Sequence, residues 1–124
     1  MSYAGSSQFI NAVQQAFSTL VTAYGFEVPA VEDLGREVYV LYHRGTRTVS
    51  VSMESGGRPI VELFYPSLET GEAPVAWARR NGMDRARRIL RLHAADGHQP
   101  SVEAQLESAF RALEDEEIGF LRSV

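Results

Sequence analysis

Phe9, Ile10, Val13, Ala16, Phe17, Leu20, Val21 and Tyr24 recur at intervals of three and four, the spacing that lines apolar side chains along one face of an α-helix. Ser6 or Ser7 offers a capping oxygen at its start. Gly25 stands where a left-handed residue would end it, and Phe26 where the chain would pack back on the last turn. The outer face, Asn11, Gln14, Gln15, Ser18 and Thr22, is polar but uncharged, and no ionised side chain precedes Glu27. Solvated helices usually carry charges on that face, so this one is unusual. Residues 26–35, with Pro29 and Gly35, read as a loop or a short edge strand.

From Arg36 the period changes to two. Val38, Val40 and Tyr42 alternate with Tyr39, Leu41 and His43, and beyond a turn at Arg44-Gly45, Val49, Val51 and Met53 alternate with Thr48, Ser50 and Ser52. A loop of even length pairs positions whose numbers sum to an odd value, so Val40 opposes Val49 or Val51 and the apolar sets share a face; a three-residue loop would set them on opposite faces and is rejected. A third strand runs from Pro59 to Tyr65. Matching Val61 and Leu63 to Val51 and Met53 requires an odd loop, which Gly56-Gly57-Arg58 supplies. One face of this meander is apolar and should lie under the first helix. The other, with Tyr39, Leu41, Ile60 and Phe64, is left for later helices, a dimer or a partner to cover.

Residues 66–73 read as a loop, and Pro74 opens a short helix over Val75 to Arg80 that Asn81-Gly82 interrupts. Asp84 caps a second piece reaching about Ala95, and Gly97 ends it. Pro100-Ser101 starts a last helix with the stripe Val102, Leu106, Ala109, Phe110 and Leu113. The expected fold is α+β: an N-terminal helix packed on a three-stranded antiparallel β-meander, with a fourth edge strand near residues 26–31 as an option, followed by two or three C-terminal helices. A single domain over 1–124 is expected, with residues 1–5 flexible.

Composition narrows the chemistry. The 124 residues contain no cysteine, which excludes disulfides, thiolate metal sites and cysteine nucleophiles. They contain no lysine either, which excludes Schiff-base chemistry and a phosphate-loop lysine. No apolar run approaches the roughly 18 residues of a membrane span, and the first ten residues have no basic region of a secretory signal. A cytoplasmic protein with no membrane association is expected.

All 12 basic residues are arginine, and six of them fall between positions 79 and 91 beside a single acid, Asp84. On a helical wheel Arg87, Arg88 and Arg91 oppose Ala86, Ile89, Leu90 and His93. Arg79, Arg80, Arg87, Arg88 and Arg91 are therefore candidates for an anion or nucleic-acid face. A solvated face balanced by the acidic remainder is the preferred reading, because the chain is acidic overall and lacks an aromatic platform. The run Glu114-Asp115-Glu116-Glu117 sets a second question. In an unbroken helix Glu117 would fall on the stripe between Leu113 and Phe120 or Leu121; the alternative, which we favour, ends the helix near Asp115 and leaves the carboxylates in water.

His43, His93 and His98 have no metal-ligand spacing. His93 reads as a packed histidine, His43 as the exposed end of a strand, and Trp77 as core. Phosphate loops, dinucleotide fingerprints and nucleophile elbows are absent. No cofactor, no metal and no enzymatic activity are expected; a His93 base working with Glu117 is the least favoured alternative.

Small size, acidity, one helix feeding a β-meander and the lack of enzyme motifs loosely resemble the small bacterial immunity proteins that neutralise toxins. The layout also resembles small acidic secretion chaperones, which carry further strands between their later helices where this sequence predicts none. The resemblance implies a non-enzymatic binder of another protein, such as a toxin. Its candidate contacts are Glu69, Glu72, Glu114, Asp115, Glu116 and Glu117, with the uncharged face of the first helix. A homodimer is a further option, and nucleic acid is not the expected partner.

Overall fold

The N-terminal stripe folds as two helical pieces, α1 (Ser6–Ala16) and α2 (Ser18–Thr22), rather than as one helix. Phe17 separates them with φ −103° and ψ 11°. Its N–H donates to the Val13 carbonyl at 2.8 Å, but its own carbonyl accepts from Leu20, only three residues on, at 3.0 Å. This tightened turn is the 3₁₀ kind that marks a bend. The Phe17 ring is fully buried, edge-on to Phe110 at 5.3 Å and stacked near Tyr42 at 6.4 Å. Seating one large ring between sheet and last helix decides where the helix bends, and the local spacing carries no sign of it. Helix ends at Thr22, two residues before the expected Tyr24, with Ala23 as its cap, while Gly25 does take the left-handed conformation at φ +76° and the buried Phe26 packs back, donating its N–H to the Leu20 carbonyl at 2.9 Å. Ser6 and Ser7, the candidate caps, both have helical backbone.

The computed structural model describes residues 6–54, 58–65, 76, 79, 89–91 and 101–122, with the backbone alone at 89–91. Five antiparallel strands follow the helices: β1 (Ala30–Asp33), β2 (Glu37–Arg44), β3 (Arg47–Glu54), β4 (Ile60–Phe64) and β5 (Ile89–Arg91), side by side in chain order. Val40 pairs with Val51, Val51 with Val61 and Val49 with Leu63, so the parity argument gives the right register. The β2–β3 turn is the two residues Gly45-Thr46, with Gly45 at φ +56°. The expected meander is thus β2–β4, extended by one strand on each side.

The extension at β1 starts just after Pro29, a few residues later than the 26–31 option. A turn holds it in place: Gly35 at φ +90° donates its N–H to Asp33 Oδ1 at 3.0 Å, and Leu34 N–H reaches the Glu37 carbonyl at 2.9 Å. The extension at β5 overturns the helix expected up to Ala95. Ile89, Leu90 and Arg91 pair with Glu62, Val61 and Ile60. Three residues are too few to separate a period of 3.6 from one of 2. The unsatisfied edge of β4 decides the matter, because its backbone groups need partners that only a strand supplies. The remaining expectations for 66–100, among them Trp77, His93 and His98, lie outside the described residues apart from Ala76 and Arg79, which are helical and exposed. Residues 1–5 lie outside them too.

The last helix, α3 (Val102–Arg122), starts at Ser101, whose Oγ accepts the Ala104 N–H at 3.1 Å. It is two helical stretches joined at Glu117, where φ −126° and ψ 31° leave the helical region. A straight helix would carry Glu117 into the core beside Leu113, and burying a carboxylate there is expensive. The kink leaves Glu117 half-buried and still buries Leu121 fully. Helix does continue through Asp115 and Glu116, so the break falls two residues later than expected.

The fold is α+β, with the N-terminal helix and the C-terminal helices packed on one sheet face. Phe9, Val13, Phe17 and Leu20 meet Leu106, Phe110, Leu113 and Leu121 over Val38, Val40, Tyr42, Val49, Val51, Val61 and Leu63. The other sheet face is also covered, since Leu41, Thr48, Ser50 and Phe64 are buried.

One core residue carries an unusual group. Tyr42 is buried among hydrocarbon and its hydroxyl has no hydrogen-bond partner. Burial pushes its pKa up to about 12 from 10.0. The folded state therefore keeps the phenolic proton to about 12, while the unfolded chain releases it near 10. The stability linked to this group is fully present below about pH 10 and is lost as pH rises towards 12, by up to roughly 2–3 kcal/mol. Tyr42→Phe should remove that component of alkaline destabilisation and stabilise the protein by about 1 kcal/mol at neutral pH. Urea melts of both proteins at pH 8 and pH 11 check it; identical losses in the two would exclude Tyr42 as the titrating group.

Candidate functional site

The most conspicuous surface feature is the stretch leading through β1. Pro29 and the Gly35 turn bracket its strand, which is the outermost of the five and pairs, among the described residues, with β2. Val28, Val31 and Leu34 are 80%, 41% and 61% exposed. They make up three of the five large hydrophobic side chains that are exposed among the described residues, the others being Tyr65 and Ile118. Glu27, Glu32 and Asp33 lie in the same stretch, with no basic residue before Arg36. Sequence reasoning did not single it out. The available signal was three apolar residues at intervals of three inside a segment read as loop or edge, where nothing nearby in sequence could cover them.

The acidic run divides. Asp115 and Glu116 are exposed, whereas Glu114 and Glu117 are half-buried. Glu114 Oε2 accepts the Tyr24 hydroxyl at 2.7 Å and is tied to α2. That hydrogen bond is the main reason the Tyr24 hydroxyl titrates above its usual value, with partial desolvation adding to it and Arg122 opposing it. Of the expected acidic contacts, then, Asp115 and Glu116 present free faces along α3, and Glu69 and Glu72 lie outside the described residues. The uncharged face of α1 and α2 is exposed at Asn11, Gln14, Gln15, Ser18 and Thr22, as its spacing predicts.

The arginine candidates do not share one helical face. Arg91 belongs to β5 and Arg79 is an exposed helical residue, while Arg80, Arg87 and Arg88 lie outside the described residues. The wheel that aligned Arg91 with Arg87 and Arg88 assumed a helix that β4's edge replaces with a strand.

The covered sheet face holds a polar strip. His43 is half-buried, not an exposed strand end, and its Nδ1 lies 2.9 Å from Thr48 Oγ1. Beside it Ser50 Oγ is buried without a partner. Tyr39 donates to Glu37 Oε2 at 2.6 Å, and burial together with that carboxylate holds its hydroxyl well above the ordinary range. Among the described residues no group of His, Asp and Glu is arranged to hold a metal ion, and no helix is long and apolar enough to cross a membrane. No family model, curated protein or solved structure matches the chain. The functional argument therefore rests on these surfaces alone.

Proposed function

We propose that the chain is a non-enzymatic protein-binding module that docks an extended segment of another protein along the outer strand β1. The observation that carries this reading is the concentration of exposed apolar side chains on and beside the outer strand of the sheet: Val31 within β1, Val28 before it and Leu34 after it. A segment added at the outer edge of a sheet binds through main-chain hydrogen bonds, while flanking side chains set specificity. The exposed Glu27 at the start of the stretch fits a partner segment in which apolar residues alternate with arginine or lysine. A second copy of β1 would bring like charges face to face, which disfavours a homodimer through this edge.

Two kinds of binder share the layout. The strand β5, set between the helical residues Ala76 and Arg79 and helix α3, supports the secretion-chaperone-like reading, because strands between later helices are the feature of those proteins that the sequence alone did not reveal. The immunity-type reading rests on Asp115 and Glu116, whose exposed charges would speed association with a basic toxin surface.

Val31→Glu combined with Leu34→Glu tests the edge. The double variant is expected to keep the wild-type denaturation midpoint, because both side chains are exposed, and to lose at least about tenfold in affinity for a partner captured stoichiometrically by the wild-type chain. Amides of β1 should gain hydrogen-exchange protection in that complex. Equal capture by the variant removes β1 from the interface. Absence of any partner, together with turnover in a metabolite screen, removes the binding-module reading altogether.

A further inference from the structure

At one end of the molecule the last turn of the N-terminal helical segment, the end of β2 and the distal half of α3 meet around an open cleft of about 430 Å³. Thr19, Ala23, Tyr24, Arg44, Glu114 and Arg122 line it. Each is delivered by a feature already described. The Gly25 turn follows Ala23 and Tyr24 at the end of the helical segment, the β2–β3 turn places Arg44 at the strand end, and the kink at Glu117 lets α3 continue to Arg122.

The charges in this cleft do not cancel. Tyr24 occupies one carboxylate oxygen of Glu114. Arg44 donates one guanidinium N–H to the Leu121 carbonyl at 2.9 Å, which fixes the plane of its fork. Arg122 lies beside the Tyr24 hydroxyl. Two guanidinium groups and one carboxylate thus line the cleft, in a chain whose net charge is −4. Guanidinium groups that serve only as surface solubilisers need no such convergence, whereas one held fork, Arg44, and a second arginine lining the same cleft suit an oxyanion.

We propose that this cleft binds the phosphate group of a small ligand. A tetrahedral phosphate has enough oxygens to meet both forks at once, while a carboxylate is satisfied by either arginine alone. The Thr19 hydroxyl adds a neutral donor on the helix side. Glu114 opposes the ligand's charge and keeps the affinity modest, and its hydrogen bond from Tyr24 holds it to the far wall. The site is independent of the β1 edge and of the arginines between 79 and 91.

The test is a titration of the ¹⁵N-labelled chain with inorganic phosphate, at ionic strength held constant with sodium chloride, and a parallel titration with acetate. Saturable shifts are expected at the amides of Thr19, Ala23, Tyr24 and Gly25, at low-millimolar phosphate. Arg122→Gln, at an exposed position in the last turn of α3, and Arg44→Gln should each weaken binding by about tenfold. Glu114→Gln should tighten it several-fold, which a purely structural role for these residues would not do. Arg44→Gln also removes the contact to Leu121, so Arg122→Gln carries the result if the former melts early. Shifts that do not saturate, that are matched by acetate, or that persist unchanged in Arg122→Gln with Glu114→Gln also without effect would overturn the assignment.

Discussion

Replacing Phe17 with alanine is expected to cost about 3–5 kcal/mol, the range for truncating a fully buried phenylalanine. Phe17 is fully buried and lies where α1, α2, the sheet and α3 meet. Its ring is packed edge-on against Phe110 and stacked near Tyr42, contacts worth something beyond the area they bury. A cavity at this junction is hard to close, because the helix already bends there and neither neighbouring ring can move in without leaving its own place. Set against a typical net stability of about 5–15 kcal/mol, the loss is a large fraction of the total. The thermal midpoint should fall by roughly 10–20 °C for a domain of this size. Phe17→Leu, which keeps most of the volume, should lose much less. Urea melts with an unchanged slope measure both values. A cost below about 1 kcal/mol for Phe17→Ala would mean that the junction is not packed in solution.

The bend at Phe17 also marks the limit of what was legible in the sequence. The stripe from Phe9 to Tyr24, its Gly25 ending and the strand registers are local or parity properties, and all three can be read from spacing. Where the helix breaks is set by a ring that has to fit between two elements over twenty residues away in sequence, and spacing carries no trace of that. The kink at Glu117 was half legible. An acid on an apolar stripe announces a conflict, but whether the helix stops or bends depends on Leu121 finding its place in the core.

The two outer strands show the same division. β1 was legible as an option because Pro29 and Gly35 punctuate it, while its role as an apolar, acidic edge emerges only from strand order and exposure. β5 was misread as helix because Arg87, Arg88 and Arg91 make a persuasive wheel, and a wheel takes no account of an unsatisfied β4 edge. The charge pattern misled in a second way. Counting pointed to the arginines between 79 and 91, whereas the arginines that converge on a cleft, Arg44 and Arg122, are 78 positions apart. No local count could have joined them.

Leucines on opposite sheet faces give the second large effect. Leu63 belongs to the core beneath the helices, and Leu63→Ala is expected to cost about 2–5 kcal/mol. The sequence alone supports that expectation through register. Leu41 is the more informative residue, because its face read equally well as covered by the chain or as open to a partner. It is buried and sits between Ala30 and Ser50 in the cross-strand row, so Leu41→Ala should also cost about 2–5 kcal/mol in the isolated protein. Guanidinium or urea melts of the two single variants measure both terms. If Leu63→Ala costs the expected amount while Leu41→Ala costs under about 0.5 kcal/mol, which is the range of a surface substitution, the second face is open to solvent. In that case the apolar pair Leu41 and Phe64 would become the docking surface in place of β1, and the edge variants would leave partner binding intact.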